Sequence, residues 1–402
     1  MKNQAKQFLL FVVSKIYLLG LFILLLACSS RGSKDLGHAI DGPGLKIEVI
    51  DTIRINYIGN FTVHDIDPIG EHVLFMEHKG HGETIYVADF SGEVLYSYSK
   101  YLDSKDTYGK LKSTIKLLGE NSFFVYGSQG LITYELDGTL VSLVKPDDYS
   151  LPYGARIGLG ADLIPFQNKL LYTGQNNKPR DYSEPEFYEE VQFLTWLDPI
   201  SGEIEKFNHL PDTSLFRSGK FYHNAATWPT AELEGNSIYM AYGIEPAIYE
   251  FSADLPYGLK SSFKLDLPDY HYFEGATQYV DDVRVFMSYD KASGRINHIL
   301  KVGNHWLVSY FPGFNATDRN SSFENKKSEE RQHFWQEMRE KYKSKTIALN
   351  KEGKQVPLDF EEVLLGRSIF KRNGRYFMVA PGDPDIELDY FDIYELAIHG
   401  NK

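Results

Sequence analysis

The feature that most limits how this 402-residue chain can fold is a two-strand unit that recurs six times. Each copy opens on an apolar run: His72–Met76, Asn121–Tyr126, Asn168–Tyr172, Asn236–Met240, Asn304–Val308 and Asn373–Met378. Their starts are 49, 47, 68, 68 and 69 residues apart. A second run follows in every copy: Ile85–Asp89, Ile132–Asp137, Leu194–Asp198, Ile248–Phe251, Ile347–Asn350 and Ile393–Leu396. Tyr134-Glu135-Leu136, Tyr249-Glu250-Phe251 and Tyr394-Glu395-Leu396 are nearly one tripeptide. Several second runs end at a turn such as Ser91-Gly92, Gly138 or Ser201-Gly202, where glycine supplies the positive φ that a tight hairpin requires.

A period near 50 residues with about four strands is the signature of β-propeller blades. One blade cannot bury both its faces, whereas six around an axis can. The predicted fold is therefore all-β: one six-bladed propeller over residues 46–402, with about four antiparallel strands per blade. Ile47–Ile55 precedes the first unit, and the sixth copy stops soon after its second run. The N-terminal strand is thus expected to close the ring by completing the last blade. A pair of β-sandwich domains is the rival, but no linker or composition break separates residues 45 and 400. With 43% hydrophobic and 14% aromatic residues the core is well supplied. A net charge of −13 without a basic tract excludes the phosphate contacts on which nucleic-acid binding depends.

The first 27 residues hold Lys2, Lys6 and Lys15, no acid, and a 12-residue uncharged run from Ile16 to Ala27. That run is too short for the roughly 20 residues of a membrane-spanning helix and suits the apolar part of a signal peptide. It ends Leu25-Leu26-Ala27-Cys28 and is followed by Ser29-Ser30-Arg31-Gly32-Ser33. This resembles the lipobox of a bacterial lipoprotein, in which the cysteine carries the acyl chains. Cys28 is the sole cysteine, so internal disulfides and thiolate metal clusters are excluded. Residues 1–27 are expected to be removed and residues 28–45 to form a lipidated tether. Loss of the three lysines takes the net charge from −13 to −16. Ser29 after the cysteine resembles outer-membrane sorting.

With lipobox, length and repeat plan together, the chain resembles the uncharacterised six-bladed-propeller lipoproteins of the Bacteroidota, a domain-of-unknown-function type. The resemblance implies an envelope location and the propeller fold. It transfers no catalytic residue.

The sequence contains no P-loop, no zincin His-Glu pair and no Gly-x-Ser-x-Gly elbow. Two weak metal candidates stand out. His78, His81 and Glu83 fall between two strands of the first blade. Asp383 and Asp385, with Glu387 and Asp389, offer oxygen ligands for Ca²⁺ without the spacing of an EF-hand. The long spacings mark insertions at 176–190 and 313–345. The second contains the one evident helix, Ser328–Lys343, which Ser328 would cap and Glu337 with Lys341 would brace. Its Phe334, Trp335, Met338 and Tyr342 share a face that either packs on the propeller or docks a partner. The default ligand site is the propeller axis, reached by His64, Arg156, His223, His298 and Arg367, a mixed Arg/His set suited to an anionic or polyhydroxyl ligand.

These readings converge on an outer-membrane lipoprotein held to the bilayer through Cys28. Its propeller is expected to bind a protein, peptide or glycan partner without catalysis and without a cofactor. The alternative is a propeller hydrolase or lyase for a sugar, lactone or ester, with a metal such as Ca²⁺ in the central channel.

Overall fold

The computed structural model describes residues 44–77, 84–101, 105–145, 158–160, 163–174, 182–324, 326–361, 369–382 and 388–400. Their strands form six small sheets set as blades in a ring, antiparallel throughout except that the short strand Leu358–Asp359 runs parallel to Leu45–Ile55 at the rim of the last blade. From the axis outward, blade 1 comprises Phe61–Asp67, His72–Glu77, Thr84–Asp89 and Val94–Ser99. Blade 2 comprises Lys116–Leu118, Ser122–Gly127, Gly130–Glu135 and Leu140–Val144. Blade 3 follows with Leu163–Phe166, Lys169–Thr173, Gln192–Leu197 and Ile204–His209. Blade 4 is Pro229–Glu234, Ser237–Tyr242, Ala247–Ser252 and Leu259–Lys264. Blade 5 is Arg295–Val302, His305–Phe311, Lys345–Asn350 and Gln355–Val356. Blade 6 takes Phe370–Arg372, Arg375–Val379 and Phe391–Gly400 from the C-terminal end and Leu45–Ile55 from the N-terminal end. The closing strand runs antiparallel to its neighbour from Leu45↔Gly400 to Ile55↔Phe391, with one register shift between Val49 and Asp51.

The recurring apolar runs are the second and third strands of each blade, and the reason is burial on both faces. Val73 and Phe75 pack with Phe377, Phe391 and Ile393 of blade 6. Their neighbours Leu74 and Met76 pack on the other face with Leu117, Phe123 and Val125 of blade 2. A buried cluster of this kind fills each of the six blade interfaces. With each large side chain contributing roughly 1.5–3 kcal/mol, these interfaces hold the ring together.

The hairpins between third and fourth strands share one chemistry. Asp89 accepts from the Ser91 hydroxyl at 2.7 Å and the Glu93 N–H at 3.1 Å. Asp198 accepts from the N–H groups of Ile200 and Ser201, and Asn350 from those of Glu352 and Lys354. At Gly92 φ is +93°, and a Cβ there would lie 2.1 Å from the Arg54 carbonyl oxygen of the closing strand. Glycine is required by the turn and by the adjoining blade at once.

Four helices are described: α1 (Phe187–Glu190), α2 (Val283–Ala292), α3 (Ala316–Ser322) and α4 (Ser328–Lys341). The expected helix from Ser328 is present but ends at Lys341. Lys327, not Ser328, is its N-cap, and the Glu330 carboxylate accepts the Lys327 N–H at 3.2 Å. Lys341 pairs with Asp318 at 2.6 Å, a partner from α3. A further helix that the sequence pattern does not signal is α2, whose N-cap Asp282 accepts from the Arg284 N–H at 2.9 Å. α1, α3 and α4 join second to third strands, and α2 joins blade 4 to the first strand of blade 5. In an antiparallel blade those connections leave from one face, so all four helices build up the same face of the ring. Among the described residues no helix is long and apolar enough to cross a membrane.

Candidate functional site

In five of the six blades the innermost strand carries charged residues, as in Phe61–Asp67, Pro229–Glu234 and Phe370–Arg372, so it lacks the apolar signature of its neighbours. The innermost strands surround a channel cavity of about 400 Å³, lined from blade 2 by Lys116, from blade 4 by Glu232 and Glu234, from blade 5 by His298, and from blade 6 by Lys371 and Arg372. The charges are paired between blades. Arg372 donates to Asp65 of blade 1 at 2.7 Å and to the Leu117 carbonyl oxygen of blade 2 at 2.9 Å. The Leu117 N–H donates to the same Asp65 carboxylate at 2.8 Å, and Lys116 stands 3.6 Å from its other oxygen. Asp65 is fully buried, so this group ties three blades together at the axis.

A second network reaches further. Lys371 of blade 6 donates to Glu234 of blade 4 at 2.9 Å and stands 3.6 Å from Glu232. It also donates to the carbonyl oxygen of Lys301 in blade 5 at 3.3 Å. Lys301 lies 3.4 Å from Glu234 and donates to the Tyr239 hydroxyl at 2.6 Å. Burial pushes the Glu232 carboxyl up to about 7, against the pull of Lys371. The result is four cations and three carboxylates paired across blades beside the channel cavity.

The histidines foreseen at the axis are divided among different environments. His298 lines the channel. His64 sits at a register shift of its strand, 1% exposed, with Nδ1 3.0 Å from the Thr114 hydroxyl and accepting the Ile115 N–H at 3.2 Å. Burial, reinforced by Lys116, holds it at about 3, so it is a neutral brace between blades 1 and 2. His223 is 3% exposed on the helix-bearing face, its Nδ1 3.5 Å from Asp290. Burial and then Arg295 hold it at about 3 as well. Arg156 and Arg367 lie outside the described residues, as do Cys28, His78, His81, Glu83, Asp383 and Asp385. Among the described residues no three His, Cys, Asp or Glu side chains come together in a way that could hold a metal ion.

On α4, Phe334 and Met338 are 9% and 3% exposed and pack with Phe314 and Ala292, while Trp335 and Tyr342 lie half-buried at the edge of that cluster. Of the two expectations for this face, packing on the propeller accounts for Phe334 and Met338. Lys116, Glu232, Glu234, Lys371 and Arg372 were not foreseen. The available signal was charge inside short segments immediately before each apolar run, notably Glu232-Leu233-Glu234 and Lys371-Arg372.

Fold and channel define the class: a six-bladed β-propeller with a charge-lined axial cavity. No family model and no curated protein matches the chain. Among solved structures, a member of the DUF4221 family from Bacteroides vulgatus is 9% identical, with a TM-score of 0.59 over 89% of this chain and 99% of its own. A candidate exported protein from Bacteroides fragilis is 8% identical, with a TM-score of 0.48 over 89% and 96% of the two chains. A gluconolactonase from Xanthomonas campestris is 10% identical, with a TM-score of 0.39 over 89% and 96%. At these identities the likeness is one of fold, and it agrees with the resemblance to Bacteroidota propellers read from the sequence.

Proposed function

We propose that this protein is a cell-envelope lipoprotein, held to the membrane by acyl chains on Cys28, whose propeller binds a polar peptide or glycan partner in its channel without turning it over. The reading rests above all on the Lys371 network. It presents paired donors and acceptors from three blades at the wall of a 400 Å³ space. Hydroxyl and amide groups both donate and accept, so such a lining suits them better than it suits a strongly charged ligand. The lipobox supplies the tether: each buried CH₂ is worth about 0.8 kcal/mol, and two or three chains would hold an acidic domain at an anionic surface.

The test titrates the solubilised lipoprotein with a panel of neutral oligosaccharides and zwitterionic peptides, beside Lys371→Met. Lys301 keeps Glu234 paired in that variant, so the fold should persist. A ligand of the channel should bind Lys371→Met at least about tenfold more weakly, a difference of about 1.4 kcal/mol. Equal affinity would place the site elsewhere. A fatty-acid probe should label the wild type and not Cys28→Ser; equal label on both would refute the anchor.

A further inference from the structure

We propose a second binding site, a sugar-ring pocket on the helix-bearing face between blades 4 and 5, formed by Trp228, Asp290 and Arg295. The pocket holds about 330 Å³ and is lined by Ala225, Trp228, Pro229, Gly243, Asp290 and the segment 295–297. That volume lies at the small end of the roughly 300–1,000 Å³ usual for small-ligand sites. Among the described residues it shares no lining residue with the channel, which opens beside the opposite ends of the same two innermost strands.

Three observations point to a ligand. The first is Trp228, 41% exposed where Trp196 and Trp306 are 5% and 3% exposed. Leaving an indole in water forfeits one of the largest burial gains a side chain offers. The second is the stiffness of its mounting. The Gly243 N–H donates to the Trp228 carbonyl oxygen at 2.9 Å, the Ile244 N–H to that of Ala226 at 2.9 Å, and the Ile296 N–H to that of Gly243 at 2.8 Å. Gly243 has φ of +37°, and a Cβ there would fall 1.9 Å from the Ala226 carbonyl oxygen, so the three segments can meet this closely only through glycine. Trp228 and Arg295 are thereby fixed on one frame before any ligand arrives.

The third observation is the polar pair at the wall. Asp290 is a half-exposed carboxylate whose Oδ1 lies 3.5 Å from His223, and burial raises its pKa against the pull of Arg295 and Lys291. Arg295 packs its guanidinium 5.6 Å above the Phe311 ring and donates to the Asp290 carbonyl oxygen at 3.4 Å. A carboxylate and a guanidinium on the wall of one pocket suit the hydroxyls of a sugar ring, which each donate and accept. Their formal charges cancel, which favours a neutral ligand over a phosphate or a uronic acid. A flat aromatic face beside such a pair fits a pyranose, which has an apolar C–H face and a hydroxylated rim.

The test is saturation-transfer NMR on the full lipoprotein with a panel of methyl glycosides: α-mannoside, β-glucoside, β-galactoside and N-acetyl-β-glucosaminide. At least one should receive saturation at its ring protons. Trp228→Ala and Asp290→Asn should each weaken that glycoside at least tenfold, and Trp228→Phe should retain part of the affinity. Lys371→Met should leave it unchanged, which separates this site from the channel. No transfer to any glycoside at millimolar concentration would overturn the proposal. So would affinity equal to wild type in a folded Trp228→Ala or Asp290→Asn protein, or a loss in Lys371→Met alone.

Discussion

Asp65 shows how a single residue can hold a ring together. Its carboxylate is fully buried, and the charges that compensate it come from blades 2 and 6. Removing one partner of a buried pair typically costs about 3–5 kcal/mol, because the other charge stays in a low-dielectric site. Asp65→Ala strands two cations, so urea unfolding should show a loss of that order. A loss below about 1 kcal/mol would mean that the axial pairs are incidental. Proton linkage gives a second residue-scale prediction. His64 and His223 have folded pKa values near 3, below the unfolded value near 6.5. Depressed histidines contribute stability that is complete above the unfolded pKa and is lost as pH falls from about 6.5 toward 3, at up to about 1.4 kcal/mol per pH unit for each. Glu232 has the opposite sense. Its raised pKa contributes stability below about 4.5 that is lost as pH rises through 7. Denaturant midpoints measured from pH 4 to 8 should therefore fall steeply on the acid side. His64→Asn, whose side-chain oxygen can still accept the Ile115 N–H, should flatten that limb, while Glu232→Gln should raise stability above pH 7.

At the scale of elements, legibility followed burial. Second and third strands pack on both faces, so every residue in Phe123–Tyr126 or Ile238–Tyr242 is apolar, and the repeat is plain in the sequence. The innermost strands were harder to read because their alternation is broken by the groups that line the channel, such as Glu232 and Lys116. The site was harder still: Asp65 and Arg372 are 307 residues apart and Lys371 and Glu234 137 apart, and no local pattern encodes such a pairing. Helix α2 escaped because its cap, Asp282, follows another acid in a polar stretch that also reads as loop. The α3–α4 insertion tests the independence of elements. It joins two strands whose register already reaches Tyr310↔Lys345, so replacing residues 315–342 with a short Gly/Ser turn should leave β circular dichroism and cooperative unfolding intact. Loss of cooperativity on excision would show that the insertion is part of the core.

Across the whole molecule, the closing strand converts a row of blades into a ring. Ile53 and Ile55 join Phe377 and Ile393 in the cluster shared with blade 1, and Leu45 and Ile47 join the cluster shared with blade 5. A chain that begins after Tyr57 would leave Phe391–Gly400 as an unpaired edge and uncover both clusters, a template for aggregation. Light scattering should find the truncated form associated and the mature form dispersed; equal dispersity would contradict closure by this strand. The same ring gathers first strands from distant parts of the chain around one axis, and binding without turnover is the role proposed for that space. The most direct test is the fate of a bound ligand. The tightest ligand from the oligosaccharide and peptide panel is incubated with the lipoprotein for many hours and then analysed by mass spectrometry. The ligand should be retained by the wild type, held more weakly by Lys371→Met and recovered with its mass unchanged. Cleaved or eliminated products that accumulate with wild type and not with Lys371→Met would contradict that role and make the channel an active site.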